Sequence, residues 1–353
     1  MLMFLSSYFG HLYGPLRLFQ SHSVLIALGL FFGFFVTLFL LPKFYFLLPK
    51  DRGRAFAYAS EGAVGKPTAT GLIFISFFFI LSFLLIYPNI TQVSIICLTW
   101  LTMLTGYLDD RSKKPWGEYK KGVLDLIISI ATTTVLFFFY FEGKTTYWLP
   151  FTNKLIEVHP FFFFTISVLL LWFSINSTNC TDGIDGLSGT LILIALFSLG
   201  VVFYFVLGNI KMARYLIVPF YRAEGASWAV LSFLLAGCLM GYLWHNAHPS
   251  KALMGDAGSR ALGFFVGVLV LLSGNPFLIL MTSSVILVNG GTGLFKIACF
   301  RVFHILTFKN IRLPLHDHMR TNLGWSPTQV LLRFIIIQVM ITIILFGIIF
   351  KIR

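Results

Sequence analysis

Long apolar runs, separated by short polar connections, recur along the whole chain. A run of about 20 apolar residues can cross the roughly 30 Å hydrocarbon core of a bilayer as a helix. Lipid offers no hydrogen-bonding partners, so a spanning segment must pair its own backbone groups, as a helix does. The pattern predicts an all-α polytopic membrane protein with about ten transmembrane helices. These are expected at about 23–46, 68–87, 92–108, 122–141, 160–177, 187–207, 228–245, 259–273, 276–300 and 328–350.

Two of the predicted spans depart from a plain apolar helix. The eighth is short, and a polar, glycine-rich stretch at residues 289–293 interrupts the ninth. Irregular backbone at membrane depth is tolerated where it faces protein or water, so the interruption fits either the edge of a site or a simple kink. Since no repeat, low-complexity linker or soluble domain is recognisable, we interpret residues 1–353 as one integral membrane domain.

The composition excludes several other classes of protein. The chain is 58% hydrophobic and 11% charged, whereas a soluble domain is about 25% charged. The four cysteines have neither the pairing nor the spacing of a disulfide framework or a zinc site. The net charge of +13 does not indicate nucleic acid, because the basic residues flank the predicted spans, where topology and anionic lipid headgroups account for them.

The distribution of Lys and Arg predicts the orientation. Seventeen of them lie in one set of connections and eight lie on the opposite side. The richer side is expected to be cytoplasmic, which places both termini outside. All eight Asp fall at or near the cytoplasmic side, although this charge rule does not act on Asp. A polar, anionic site at the cytoplasmic boundary is therefore predicted.

The first candidate motif is Gly-Tyr-Leu-Asp-Asp, residues 106–110, at the end of the third span. Asp109 and Asp110 are adjacent carboxylates at a helix C-terminus, where the helix dipole already disfavours negative charge. A divalent metal, a basic partner or a shared proton would each relieve their repulsion. Taken alone, the pair also fits an ordinary solvated interface.

The second motif covers residues 176–187, in which Asn176, Asn179, Asp182 and Asp185 recur every three positions. On a helix this spacing makes one stripe of amides and carboxylates, which suits uracil, ribose or a hydrated Mg²⁺. A capped turn between two spans needs only one such residue. A binding function is therefore favoured over a capped turn.

The third motif surrounds Asp256 in Met-Gly-Asp-Ala-Gly-Ser, just before the eighth span and ten residues after Asn246. It fits a backbone nest for phosphate beside a metal-binding carboxylate, or a helix cap.

The fourth motif is His316-Asp317-His318, which is followed by Gly-Trp-Ser. Since no further ligand of suitable spacing follows, zinc is disfavoured. We expect the two His to point from an extended loop towards phosphates, with Asp317 facing away and paired with Arg312 or Arg320. A solvated interfacial loop is the alternative.

In this order and on one face of the membrane, the four motifs resemble those of the polyprenyl-phosphate N-acetylhexosamine-1-phosphate transferases. Asn-x-x-Asp-Gly-x-Asp-Gly-Leu with Met-Gly-Asp-x-Gly-Ser is highly specific for that superfamily. Pro-Leu-His-x-His with Gly-Trp-Ser favours its phospho-N-acetylmuramoyl-pentapeptide transferase (MraY) branch. The resemblance covers roughly residues 40–350, including 51–54 and 65–68. Asp317, Ala63 and Leu253 stand where that family usually has a His, a basic residue and an aromatic residue.

The resemblance implies transfer of phospho-MurNAc-pentapeptide from UDP-MurNAc-pentapeptide to undecaprenyl phosphate, with Mg²⁺, giving lipid I and UMP. It implies a homodimer in the bacterial inner membrane with the active site facing the cytoplasm. The catalytic residues that it implies are Asp109, Asp110, Asp256, His316 and His318. The implied Mg²⁺ ligands are Asp256 and Asp182. The implied substrate-binding residues are Lys66, Thr68, Asn176, Asn179, Asp182, Asp185 and Asn246.

Three other functions are weighed against this one. A UDP-GlcNAc:polyprenyl-phosphate GlcNAc-1-phosphate transferase belongs to the same superfamily. A secondary transporter would also have ten spans and buried polar groups, but near the bilayer midplane rather than at one rim. A structural scaffold would not need so many acids on one face.

The orientation can be tested with an impermeant thiol reagent applied to intact cells. We expect Lys114→Cys to stay unlabelled, because residues 109–121 are predicted to be cytoplasmic, and Lys144→Cys to label readily. The parent chain, with its own four cysteines, gives the background. Ready labelling at position 114 would overturn the predicted orientation.

Overall fold

The apolar runs are helical in the computed structural model, which describes residues 1–11, 13–53, 60–150, 152 and 154–351. Arg54 and Arg353, which entered the motif and topology predictions, lie outside the described residues. The helices are α1 (Leu2–Phe9), α2 (His22–Leu40), α3 (Gly71–Leu85), α4 (Ile90–Arg111), α5 (Glu118–Val135), α6 (Pro160–Thr181), α7 (Leu187–Val201), α8 (Ile210–Tyr215), α9 (Gly225–Asn246), α10 (Gly255–Leu272), α11 (Leu278–Ile286), α12 (Thr292–Phe303), α13 (Leu315–Asn322) and α14 (Pro327–Lys351).

Short segments of other helical types and one hairpin complete the chain. The 3₁₀ segments are Gly14–Gln20, Leu41–Leu47 and Ser60–Ala63, and the π segments are Leu136–Tyr140, Val202–Leu207 and Leu287–Gly291. Strands β1 (Thr146–Trp148) and β2 (Leu155–Glu157) pair antiparallel, with Tyr147 opposite Ile156.

The predicted all-α polytopic class is confirmed. Within the described residues, nine helical segments are long and apolar enough to cross a membrane. The second predicted span is α3, which has 15 residues and is shorter than the others. The third span runs on to Arg111, so Asp109 and Asp110 lie in its last turn.

Helix α10 is the centre of the bundle. Every one of its 18 residues is buried, and α3, α4, α6 and α7 pack around it. The carbonyl groups at its C-terminal end are reached by side chains from outside the helix. The Tyr140 hydroxyl donates to the Leu272 carbonyl at 2.7 Å, and the Trp148 indole donates to the Ser273 carbonyl at 2.8 Å. Side chains thus provide partners that lipid cannot supply.

Two glycines let neighbouring helices approach the start of α10. A Cβ on Gly106 of α4 would lie 2.6 Å from the Ala257 nitrogen, and a Cβ on Gly71 of α3 would collide with Gly258. Any side chain would force these backbones apart. The glycine of the Gly-Tyr-Leu-Asp-Asp motif therefore has a packing reason, namely the close contact between α4 and α10.

The expected interruption at residues 289–293 is a π-helical turn inside a continuous helix, Leu278–Phe303. Ser283, four residues before the π turn begins at Leu287, has non-helical dihedral angles. The backbone groups disturbed there bond to buried Gln338 of α14, which accepts from the Val285 amide at 2.9 Å and donates to the Met281 carbonyl at 3.1 Å. The helix therefore bends rather than breaks.

Replacing Gln338 with Leu is expected to lower the midpoint of thermal unfolding in detergent. The change leaves the buried Val285 N–H without its acceptor, a loss of about 1–3 kcal/mol. Met340→Leu on the same helix is the matched control, because Met340 is exposed and the swap conserves volume. Equal midpoints for the two variants would show that Gln338 does not support the bend.

Candidate active site

The predicted motifs meet at one end of the bundle, where α4, α6 and α9 finish and α10 begins. The β1–β2 hairpin lies at the other end, since the Trp148 amide donates to the Gly274 carbonyl just after α10. We call the first of these the site end. Motifs far apart in the sequence converge there because alternate spans run in opposite directions.

Asp109 and Asp256 share one cation at the site end. Both carboxylates are buried, and the Lys121 ammonium of α5 forms ion pairs with each of them, at 2.8 Å to Asp256. The other carboxylate oxygen of Asp109 accepts from the Trp116 amide at 2.6 Å. We call Asp109, Lys121 and Asp256 the acid–lysine cluster. Its ammonium offsets the repulsion that adjacent carboxylates would otherwise feel.

Asp110 has a different partner from its neighbour. Its two carboxylate oxygens accept from the backbone amides of Asp256 and Ala257, at 3.2 and 3.0 Å. These amides begin α10, where the helix dipole favours negative charge. Asp110, which belongs to α4, therefore caps the N-terminus of α10.

The three predicted catalytic carboxylates are thus brought together, but with a lysine and a helix terminus between them. Among the described residues, no group of three or more His, Cys, Asp or Glu is arranged to hold a metal ion. A basic partner was one of the three expected ways to relieve the repulsion at Asp109, and the structure shows Lys121 in that place. Its contact with Asp256 spans 135 positions, and no local pattern reveals that second partner.

A cavity of about 220 Å³ opens beside the first turn of α10. Five of the seven predicted substrate-binding residues line it, namely Lys66, Thr68, Asp182, Asp185 and Asn246. His248, Leu253 and Arg320 line it as well. One Asp185 oxygen accepts from the Ser250 amide at 3.2 Å and contacts the His248 ring at 3.1 Å. The Lys66 ammonium donates to the Ser250 hydroxyl at 3.1 Å. Charged and polar side chains therefore line part of the cavity, and these hydrogen bonds hold the loop at residues 247–254 against its wall.

Asn246 joins two loops of the cavity wall. Its side-chain oxygen accepts from the Gly186 amide at 2.8 Å, and its nitrogen donates to the Ala252 carbonyl at 2.9 Å. The amide is buried. It therefore shapes the wall, which leaves less of its hydrogen-bonding capacity for a ligand.

The stripe of polar residues along α6 divides in two. Asp182 and Asp185 follow the end of the helix and line the cavity. Asn179 accepts from the Ser259 hydroxyl of α10 at 3.4 Å, and Asn176 donates to the Trp172 carbonyl in its own helix at 2.8 Å. These two lie deeper and do not line the cavity. The residues spaced three apart lie on a helix only as far as Thr181, where α6 ends, so Asp182 and Asp185 do not continue the same helical stripe.

The expectation of an extended loop around His316 is wrong. Pro314 precedes α13 (Leu315–Asn322), so His316 and His318 are two apart on a helix and face different directions. The His316 ring is buried and lies against Gly183, where a Cβ would collide with its Nε2. His318 instead accepts from the Arg312 amide at 3.3 Å. Of the two, only His316 contacts a residue of the cavity wall, Gly183, and neither His lines the cavity itself.

Asn289, in the π-helical turn, holds His316 in place. Its side-chain oxygen accepts from the His316 amide at 2.8 Å, and its side-chain nitrogen lies 3.1 Å from the ring Nδ1. The turn is thus the edge of the site as well as a bend. The sequence kept this stretch as a possible site edge but assigned no role to Asn289, although a polar residue within an apolar span is itself a functional signal.

Asp317 pairs with Arg312, one of its two expected partners, with 3.8 Å between Nε and the carboxylate. It also lies 3.6 Å from His316 Nε2.

Arg260 was counted with the basic residues of the cytoplasmic connections, but it lies fully buried in α10.

Comparison with known proteins shows the family of the chain. The profile of Glycosyl transferase family 4 matches residues 92–274. The chain is 57% identical over 347 residues to the phospho-N-acetylmuramoyl-pentapeptide-transferase of Treponema pallidum (strain Nichols), covering 98% of this chain and 95% of that protein. It is 31% identical to the enzyme of the same name from Campylobacter jejuni subsp. jejuni serotype O:6, over 88% and 90% of the two chains. The chain therefore belongs to Glycosyl transferase family 4 and, within it, to the phospho-N-acetylmuramoyl-pentapeptide-transferases.

Proposed function

We propose that this chain transfers phospho-MurNAc-pentapeptide from UDP-MurNAc-pentapeptide to undecaprenyl phosphate, with lipid I and UMP as products. The observation that carries this proposal is the buried acid–lysine cluster beside a cavity with charged side chains in its wall, at one end of a membrane bundle. A site at a helix end lets a water-soluble donor meet an acceptor that stays in the bilayer. The names of the relatives, one of which is 57% identical to this chain, support the same reaction.

The cavity walls suit the nucleotide part of the donor. Asp182 and Asp185 offer carboxylates to ribose or uracil, and Lys66 and Arg320 bring positive charge to the same cavity. Cationic side chains are favourable partners for a diphosphate. Thr68, also in the wall, adds a hydroxyl group.

We propose Mg²⁺ as the cofactor. The donor set fits, because Asp109 and Asp256 already converge on one cation, the Lys121 ammonium, and carboxylate oxygens are the ligands that Mg²⁺ prefers. Asp256 would be the main ligand, with Asp182 reaching the same diphosphate from the cavity. When bound, Mg²⁺ neutralises the diphosphate and the departing phosphate.

The protein's own part in the reaction is mainly positioning and charge. An oxygen of undecaprenyl phosphate bonds to the sugar-side phosphorus, the bond from that phosphorus to the bridging oxygen breaks, and UMP leaves with the electron pair. Asp110 holds the first turn of α10, and so Asp256, in place. The buried His316, braced by Asn289, offers an imidazole to the phosphates beside Gly183.

The finer placement is part of the same proposal. We expect the site end to face the cytoplasm of a bacterium, the protein to lie in the inner membrane, the termini to lie outside, and the assembly to be a homodimer. The Lys and Arg asymmetry supports the orientation, and the resemblance supports the dimer.

Detergent-solubilised protein supplied with undecaprenyl phosphate and Mg²⁺ is expected to release UMP from UDP-MurNAc-pentapeptide and not from UDP-GlcNAc. Chelation should abolish this release, and added Mg²⁺ should restore it. Absence of UMP with the first donor would contradict the proposed function. Full turnover in excess chelator would contradict the magnesium role alone.

In the same assay Asp256→Asn should cut turnover at least about a hundredfold, which corresponds to about 3 kcal/mol of barrier. The change is nearly isosteric, so the fold should survive. Glu118→Gln is the matched control, because Glu118 pairs with Arg301 on an exposed surface.

His316→Ala is expected to lower turnover about a hundredfold through loss of phosphate contacts. Asn289→Leu should lower it at least about tenfold, because it releases the His316 backbone and ring while leaving the imidazole present. His318→Ala, on the other side of α13, should stay within about tenfold of the parent. A nearly silent His316→Ala would remove α13 from the proposed site.

A further inference from the structure

A second ion pair lies close to the acid–lysine cluster and is more deeply enclosed. Asp125 of α5 bonds to Arg260 of α10, and each side chain is only 1% exposed. Nothing in the proposed reaction uses this pair. Its position therefore calls for a separate explanation.

The two sets of charges are in register along two helices. Lys121 and Asp125 are four residues apart on α5, and Asp256 and Arg260 are four apart on α10. Residues four apart on a helix lie one above the other. Lys121–Asp256 and Asp125–Arg260 thus form two rungs, one turn apart. The sign alternates both along each helix and across each rung.

Side chains, rather than closely packed backbones, link α5 directly to α10. Both helices pack against α4 and α6, but over their described lengths they do not pack closely on each other. Lys and Arg are long enough to span such a gap. The rung beneath Lys121 and Asp256 is therefore a direct link between the two helices, in addition to their shared packing on α4 and α6.

The deeper pair is poorly explained by stability alone. Asn176 of α6 lies within hydrogen-bonding reach of Asp125, but Arg260 Nε and Nη1 have no hydrogen-bond partner within the described part of the chain. A buried ion pair with incomplete partners gains little over well-packed apolar residues of similar volume. Its cost therefore favours a role that apolar residues could not fill.

We propose that Asp125 and Arg260 are positioning residues for the acid–lysine cluster. The pair sets the register of α5 against α10, so that Lys121 meets both Asp109 and Asp256. It also sets the order of charge, with the Arg260 cation beneath Asp256 and the Asp125 anion beneath Lys121. The activity readout of this proposal depends on the proposed function.

Two double variants test the pair without leaving one charge buried alone. Asp125→Leu/Arg260→Leu removes both charges. Asp125→Arg/Arg260→Asp keeps a pair but reverses the field at the cluster. We expect kcat for UMP release to fall at least about tenfold in each, with KM for UDP-MurNAc-pentapeptide nearly unchanged, because the cavity walls are untouched. The thermal midpoint should stay close to that of the parent, since α5 is also held by the Trp172 indole, which donates to the Gly122 carbonyl.

Arg260→Lys retains a cation opposite Asp125 and should keep kcat within about threefold. Glu142→Gln/Arg222→Gln is the matched control, because that pair, with its atoms 3.7 Å apart, lies at the opposite end of the bundle. It should leave kcat unchanged. Parental kcat in either folded double variant would overturn the proposal. If the Leu double variant does not fold, the reversed pair decides.

A second measurement does not depend on activity. In the parent, the effects of Lys121→Met and Asp256→Asn on the thermal midpoint should be non-additive, because the two side chains are in contact. That coupling should disappear in the reversed-pair background. If the parent releases no UMP, the proposed function fails, and this coupling still tests the positioning role. Unchanged coupling would overturn it.

Discussion

Each polar backbone group at the ends of α10 needs a partner within the protein, because this helix is enclosed along its whole length. The carboxylate of Asp110 meets the first amides, and Tyr140 and Trp148 meet the last carbonyls. The bond that closes the helix at the site end also sets the position of Asp256. The first turn of α10 therefore contains both the amides that need a partner and the Asp256 carboxylate that is proposed to act in the reaction.

The chemistry-bearing groups at the site end are paired with one another. Lys121 offsets Asp109 and Asp256, Asp185 contacts His248, and Asn289 holds His316. A buried charge without a partner would be costly in such surroundings. An incoming diphosphate or cation must therefore compete with contacts that already exist. Binding would reorganise these pairs rather than fill an open set of ligands.

The spans could be predicted from the sequence because lipid imposes a length and an apolar character on every one of them. Asp109, Asp182 and Asp256 could be picked out because polar residues at helix ends stand apart from their apolar surroundings. Lys121 and Arg260 could not, since a basic residue near a span also satisfies the positive-inside rule. His316 was misjudged because Pro314 and the consecutive polar residues 316–318 resemble a loop, whereas Pro314 directly precedes a helix.

Helix α3 has a consequence for the surrounding bilayer. Its 15 residues cover about 22 Å at 1.5 Å each, about 8 Å less than the hydrocarbon core. It begins level with α10, because Gly71 packs against Gly258. Lipid beside a short span thins or lets its headgroups sink. The cavity near Lys66 would then open at the depth of the lipid phosphates, where a donor in water and an acceptor in lipid can meet without either leaving its own medium.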